Sequence, residues 1–166
     1  MSEKYKRYFL KTKETKLLLN KASERVKFGL ERILTAKANV ELVKAEFAEI
    51  YLFNSKPLLA KTGEDVFPTL VFNEFLDLAP KVVVDMGAVP HVCNGANVMA
   101  PGIVRFEGEF RRGELVLVVD EKHRKPLAIG ETMYDAEEMK SVKHGVVVKN
   151  IHFIGDHVWD LIKKLV

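Results

Sequence analysis

The chain has one cysteine, Cys93, and one tryptophan, Trp159, in 166 residues. A lone thiol cannot close an internal disulfide or supply the paired ligands of a cysteine-rich zinc site, so the fold is expected to rest on burial and hydrogen bonding. No run of about 18 apolar residues is present, so no membrane-spanning helix is expected. The first residues, Met1 to Arg7, lead into no signal-like apolar segment, and a cytoplasmic location follows as an expectation. Internal repeats and low-complexity linkers are absent from the sequence.

Catalytic signatures are equally scarce. Gly108 and Gly113 have P-loop spacing but are followed by Glu114, where a phosphate-binding loop needs Lys and then Ser or Thr. His91 and Cys93 are the one pair suggesting a nucleophile with its base, yet two residues apart on a helix they point about 200° away from each other. Cys93 is better read as a small buried apolar residue. His123, His144, His152 and His157 lack the i, i+4 spacing of a metal-binding helix. No catalysis, cofactor or metal is expected.

What is present is a soluble composition, 48% hydrophobic with a formal net charge of +3, large enough for one ordinary domain or two small ones. The charge is unevenly spread: residues 1–80 hold 14 basic against 11 acidic residues, and residues 81–166 hold 12 of each. Eleven basic residues from Lys4 to Lys37, Arg7, Lys13, Lys16 and Arg32 among them, face only Glu3, Glu14, Glu24 and Glu31. Such a surface suits phosphates, and a merely solvated lysine-rich face reads equally well.

Tyr8 to Leu10 reads as a short strand. A helix over about Lys13 to Lys27 gathers Leu18, Leu19, Ala22 and Val26 on one side and a basic ridge with Lys13, Lys16 and Lys27 on the other. Val40 to Ala60 suggests three antiparallel strands, and Phe67-Pro68-Thr69-Leu70 opens a short helix that Ala79-Pro80 closes. The domain boundary is placed there, at 1–79 and 80–166. Beyond it, six short strands with turns at Gly108, Gly113, Gly130 and Gly145 suggest a small β-barrel, interrupted by helices near Ala88–Cys93 and Ala136–Met139. The segment from Asp156 to Val166 puts Val158, Leu161, Ile162 and Leu165 on one helical face that packs back on the body.

Glycines and prolines bracket short apolar segments twice, in Val84-Asp85-Met86-Gly87-Ala88-Val89-Pro90 and in Asn94-Gly95-Ala96-Asn97-Val98-Met99-Ala100-Pro101-Gly102. That shapes a backbone for close approach to a ligand, although tight turns in a small barrel use glycine too. With Gly113-Glu114-Leu115-Val116, Pro126-Leu127-Ala128-Ile129-Gly130 and Lys143-His144-Gly145-Val146, these motifs resemble, in order and spacing, a PUA domain, the RNA-binding appendix of pseudouridine synthases and archaeosine transglycosylases. Phe67-Pro68-Thr69-Leu70, Asn150-Ile151-His152-Phe153 and Trp159 extend the resemblance to the malignant-T-cell-amplified-sequence translation factors and their archaeal stand-alone relatives.

That resemblance implies an α+β protein, an N-terminal α/β (pre-PUA) domain followed by a C-terminal PUA pseudo-β-barrel. It implies a non-catalytic RNA-binding role in translation, with tRNA and small-subunit rRNA as partners, and a separate initiation-factor-like protein as a further partner. A monomer is expected. A targeting subunit for an RNA-modifying enzyme is the alternative. By position, the RNA-facing residues would be Gly87, Asn94, Gly95, Ala96 and Asn97, with Lys149 and His152 on the last strand. Glycine admits the sugar-phosphate backbone and Asn97 can donate and accept at a base edge. Arg7, Lys13 and Lys16 would supply a second grip. Met99, Ala100 and Pro101 are read as barrel wall in preference to a platform for a base, Arg105, Arg111 and Arg112 as phosphate contacts or ordinary solvated charges, and Trp159 as a core anchor.

Overall fold

The computed structural model describes residues 4–27, 29–31 and 39–166; Glu3, Arg32 and Lys37 of the basic segment lie outside the described residues. Two antiparallel-rich sheets organise the chain, giving the expected α+β architecture. The first is a five-stranded meander: β1 (Tyr5–Phe9), β2 (Val40–Ala45), β3 (Glu49–Phe53), β4 (Lys56–Thr62) and β5 (Asp65–Pro68), in that spatial order. Helix α1 (Thr12–Ser23) lays Leu18, Leu19 and Ala22 against Leu42, Tyr51, Phe53 and Leu59 on one face. Residues of opposite parity, Val43, Ile50, Leu52, Ala60 and Phe67, form the other face.

The structure departs from the sequence expectation at three points. Helix α1 ends at Ser23, where the hydroxyl bonds the Asn20 carbonyl and competes with the helical ladder. Phe67 and Pro68 close a strand instead of opening a helix, because β5 is the sheet edge, where proline's missing N–H costs no ladder bond. The short helix α2 (Asn73–Leu78) starts five residues later. Between β3 and β4, Asn54 and Ser55 take φ of 51° and 72°, the paired left-handed geometry of a two-residue hairpin.

The second sheet runs β7 (Val98–Met99), β11 (Val146–Phe153), β10 (Pro126–Thr132), β9 (Leu115–Asp120), β6 (Lys81–Val84) and β8 (Ile103–Glu107). All neighbours are antiparallel except β6 and β9. Val82, Val84, Val116, Val118, Val147 and Val148 fill its interior with Phe110, Ala136 and Met139, the last two from α4 (Ala136–Met139). Gly130 is not a turn residue: it sits inside β10 at a register shift, where a Cβ would overlap the Val148 side chain and the Lys149 carbonyl oxygen.

Helix α5 (His157–Leu165) follows the second sheet in the chain but packs on the first, burying Val158, Leu161 and Ile162 against Val43, Ile50, Ala60 and Phe67. Each such side chain contributes about 1.5–3 kcal/mol through removal from water. Trp159 is half-buried against the core, with Lys163 Nζ 4.9 Å from its ring centroid, which agrees with its reading as an anchor. No helix among the described residues is long and apolar enough to cross a membrane.

Candidate nucleic-acid interface

At the end of β6 the chain leaves the sheet through a turn tied down by Asp85. Its Oδ1 accepts from the Ala88 N–H at 2.8 Å, and its own N–H donates to the Gly102 carbonyl at 2.9 Å. Helix α3 (Val89–Val92) follows, with Pro90 in its first turn. The return arm, Ala96 to Gly102, passes through β7 and a 3₁₀ turn over Ala100–Gly102. The arms meet closely: a Cβ on Gly102 would lie 3.3 Å from that of Ala88.

Between the arms opens a cavity of about 690 Å³. Ala88, Val92, Val98, Met99, Pro101 and Val146 give it apolar walls, while Asp85, His91 and Asn97 add polar groups. Met99 is 47% exposed, so it belongs to this open cleft and not to the buried wall that the sequence suggested; Val98 turns inward in its place. Cationic groups come from the neighbouring groove of about 380 Å³, where Arg105, Lys140 and Lys143 stand on the other side of Ala100 and Pro101. Lys143 has no ion pair among the described residues, whereas Lys140 meets Glu137 and Arg105 meets Glu107.

The loop that forms the floor is held by Asn150. Its side-chain amide donates to the Val92 and Ala96 carbonyls at 3.1 and 3.0 Å, and its main-chain N–H donates to Asn97 Oδ1 at 2.9 Å. Gly95 turns the loop at φ +94°, where a Cβ would also lie 3.2 Å from the Phe153 ring. Asn150 and His91 were not singled out from sequence as site residues. A polar Lys149-Asn150 pair interrupting the apolar run that starts at Val146 was the available signal for Asn150.

The sequence-derived site residues thus divide into groups. Gly87, Ala96 and Asn97 line the cleft; Asn94 and Gly95 belong to its supporting loop, and Lys149 is exposed on β11 beside Asn150. The Asn97 carbonyl oxygen already accepts from the Asn150 N–H, which leaves both amide N–H groups for a ligand. His152 requires correction. It is 0% exposed, accepts from the Leu70 N–H through Nε2 and bonds Asp156 Oδ2 through Nδ1, so it cannot touch RNA. Lys13 and Lys16 are exposed on α1, over the first sheet. Arg7 is held by Glu41 in a two-point ion pair, both contacts 2.9 Å, so its charge is already paired with a carboxylate.

His91 is exposed and Cys93 half-buried, with the thiol pushed up by burial. A thiol so shifted is a poor nucleophile. Among the described residues no cluster of three or more His, Cys, Asp or Glu side chains could hold a metal ion.

Comparison with known proteins agrees with this architecture. Residues 80–154 match the family model described as PUA domain, and residues 6–73 match a domain of unknown function, DUF1947. An uncharacterized protein of Methanocaldococcus jannaschii is 38% identical over 156 residues, spanning 93% of this chain and 96% of the relative. Translation machinery-associated protein 20 of Saccharomyces cerevisiae is 30% identical over 153 residues, spanning 87% and 84%. The solved structure of a PUA domain from Aeropyrum pernix superimposes with a TM-score of 0.81 at 26% identity, covering 98% of this chain and 93% of that one. The cleft-bearing sheet is therefore a PUA domain behind an N-terminal DUF1947 region. The chain belongs to the family that includes Translation machinery-associated protein 20 and Malignant T-cell-amplified sequence 1, the latter 29% identical in rat over 161 residues, 92% of this chain and 88% of the relative.

Proposed function

We propose that this protein is a non-catalytic RNA-binding component of the translation apparatus, gripping tRNA or small-subunit rRNA in the cleft between Asp85–Val92 and Ala96–Gly102. The observation that carries the reading is the adjacency of an apolar slot to a cationic groove across the Pro101 ridge. An unpaired base is a flat apolar body with polar edges; the walls formed by Val98, Met99 and Val146 suit its faces, and the Asn97 amide and His91 ring suit its edges. The backbone phosphates would then run past Lys143 and Arg105, with Lys149 alongside.

The relatives' names, with translation machinery in one of them, support a place near the ribosome in preference to delivery of a modifying enzyme. Lys13 and Lys16 on α1 supply a second, sequence-independent contact from the other sheet. The test is binding of tRNA and purified small ribosomal subunits, by anisotropy and co-sedimentation, comparing the unaltered protein with Met99→Glu. The substitution places a carboxylate at an exposed position of the cleft, and binding falls at least about tenfold with no change in unfolding midpoint. Equal binding by both proteins rejects the cleft.

A further inference from the structure

On the first sheet, Lys6 and Lys44 face each other directly across β1 and β2. Like charges at opposed positions of adjacent strands destabilise the pair, and among the described residues neither lysine has a carboxylate partner. A lysine on β1 has an ordinary explanation, since β1 is the sheet edge and edge charges prevent strand addition. That explanation does not reach Lys44, which lies on the inner strand between Lys6 of β1 and Glu49 of β3; the Glu49 carboxylate accepts from the Tyr51 hydroxyl at 2.6 Å and forms no ion pair with Lys44.

Tyr8 is two residues from Lys6 on the same face, about 7 Å along the strand, and is 44% exposed. Lys4, Lys6, Tyr8 and Lys44 line one open groove of about 620 Å³ with Tyr5, Ala45 and Glu46. Glu46 forms no ion pair with either lysine. The sole arginine of β1 is different: Arg7 points to the opposite face and is neutralised by Glu41. One face of this edge is therefore closed by an ion pair, and the other sets two facing ammonium groups, neither in an ion pair, beside an exposed ring.

We infer that the face carrying Lys6, Tyr8 and Lys44 binds single-stranded RNA, one phosphate between the two lysines and the adjoining base on the Tyr8 ring. The phosphate removes the repulsion that the bare protein carries, and the spacing along the strand is comparable to that between a nucleotide's phosphate and its base. A duplex keeps its bases stacked and cannot use Tyr8, and an acidic peptide offers charge without a planar ring. This inference rests on RNA being the protein's partner, as proposed above, but uses a different surface from the cleft.

The test titrates fluorescein-labelled hexauridine into the full chain over a range of salt concentrations, both unaltered and carrying Met99→Glu to remove the cleft. Hexauridine is expected to bind both proteins. In the Met99→Glu background, Tyr8→Ala weakens binding about tenfold and Tyr8→Phe retains it, as stacking requires. Replacing Lys6 and Lys44 together by Gln flattens the slope of log K against log salt by about 0.7, the value for one neutralised phosphate on a single strand. Lys6→Glu, which sets a carboxylate opposite Lys44, raises the unfolding midpoint while weakening hexauridine binding. Binding that Tyr8→Ala and the double Gln variant leave unchanged overturns the inference, as does lysine-dependent binding of hexaglutamate in place of hexauridine. Loss of hexauridine binding through Met99→Glu alone assigns the oligonucleotide to the cleft and also overturns it. Failure of tRNA binding to respond to Met99→Glu, with Tyr8 dependence intact, rejects the cleft and leaves this surface standing.

Discussion

The Nε2 atom of His152, on β11 of the second sheet, accepts a hydrogen bond from the main-chain N–H of Leu70, just beyond β5 of the first, at 3.2 Å. For Nε2 to accept, the ring must be neutral with its proton on Nδ1, which points 2.8 Å from Asp156 Oδ2. A fully buried imidazole thus joins the two sheets. His152→Ala removes the acceptor for a buried N–H and leaves a cavity, and is expected to cost about 2–4 kcal/mol in urea unfolding. A loss below about 0.5 kcal/mol would contradict the structural role assigned to it.

Asp156 ties the same junction to α5. Burial works to raise its carboxyl pKa, but hydrogen bonds from His152 and from the Trp159 and Phe153 N–H groups outweigh that, and the group lies below its ordinary 3.8. A folded pKa below the unfolded one contributes stability that is present above pH 3.8 and is lost as pH falls through the folded value. Asp156→Asn is therefore expected to reduce stability near neutrality and to flatten its fall below about pH 4. Thermal unfolding from pH 2.5 to pH 7 checks both effects, and an unchanged acid slope would fail the expectation.

Glycine positions separate packing from binding. Gly130→Ala forces a methyl into Val148 and the Lys149 carbonyl oxygen, which cannot move without shifting β11, so a loss of about 2 kcal/mol or more is expected. Gly95→Ala strains a φ of +94° and presses on Phe153, costing about 1–2 kcal/mol and weakening tRNA binding beyond the stability change, because the loop beneath the cleft moves. Both are read by denaturant titration, the second also by anisotropy.

Lys13→Glu with Lys16→Glu is expected to weaken binding of all RNAs alike and to lower the salt slope by about 1.4–1.8, as for two lost phosphate contacts. A change confined to one RNA would remove α1 from the proposed second contact.

Composition and periodicity made α1 and the three strands β2 to β4 legible, with Leu18, Leu19 and Ala22 on the packed side of the helix. They could not show that α5, last in the chain, covers the earlier sheet, because an amphipathic helix does not specify which apolar face it meets. Pro68 misled for a related reason: its tolerance depends on β5 being an edge, which is a tertiary fact. In the site, the Asn94-to-Gly102 spacing pointed to the loop and its cleft. Position in a motif placed His152 toward RNA, but strand alternation and the Leu70 contact turn it inward. The Asn150 staple joins residues more than fifty positions apart, beyond any local pattern.

The most direct measurement is tRNA titrated into isotopically labelled protein at low salt, following amide signals and the Met99 methyl group. The expected result is selective perturbation of Asp85–Val92, Ala96–Gly102 and Val146, reversed by salt and lost in Met99→Glu. Saturating tRNA that leaves those signals unmoved would contradict RNA binding at the cleft.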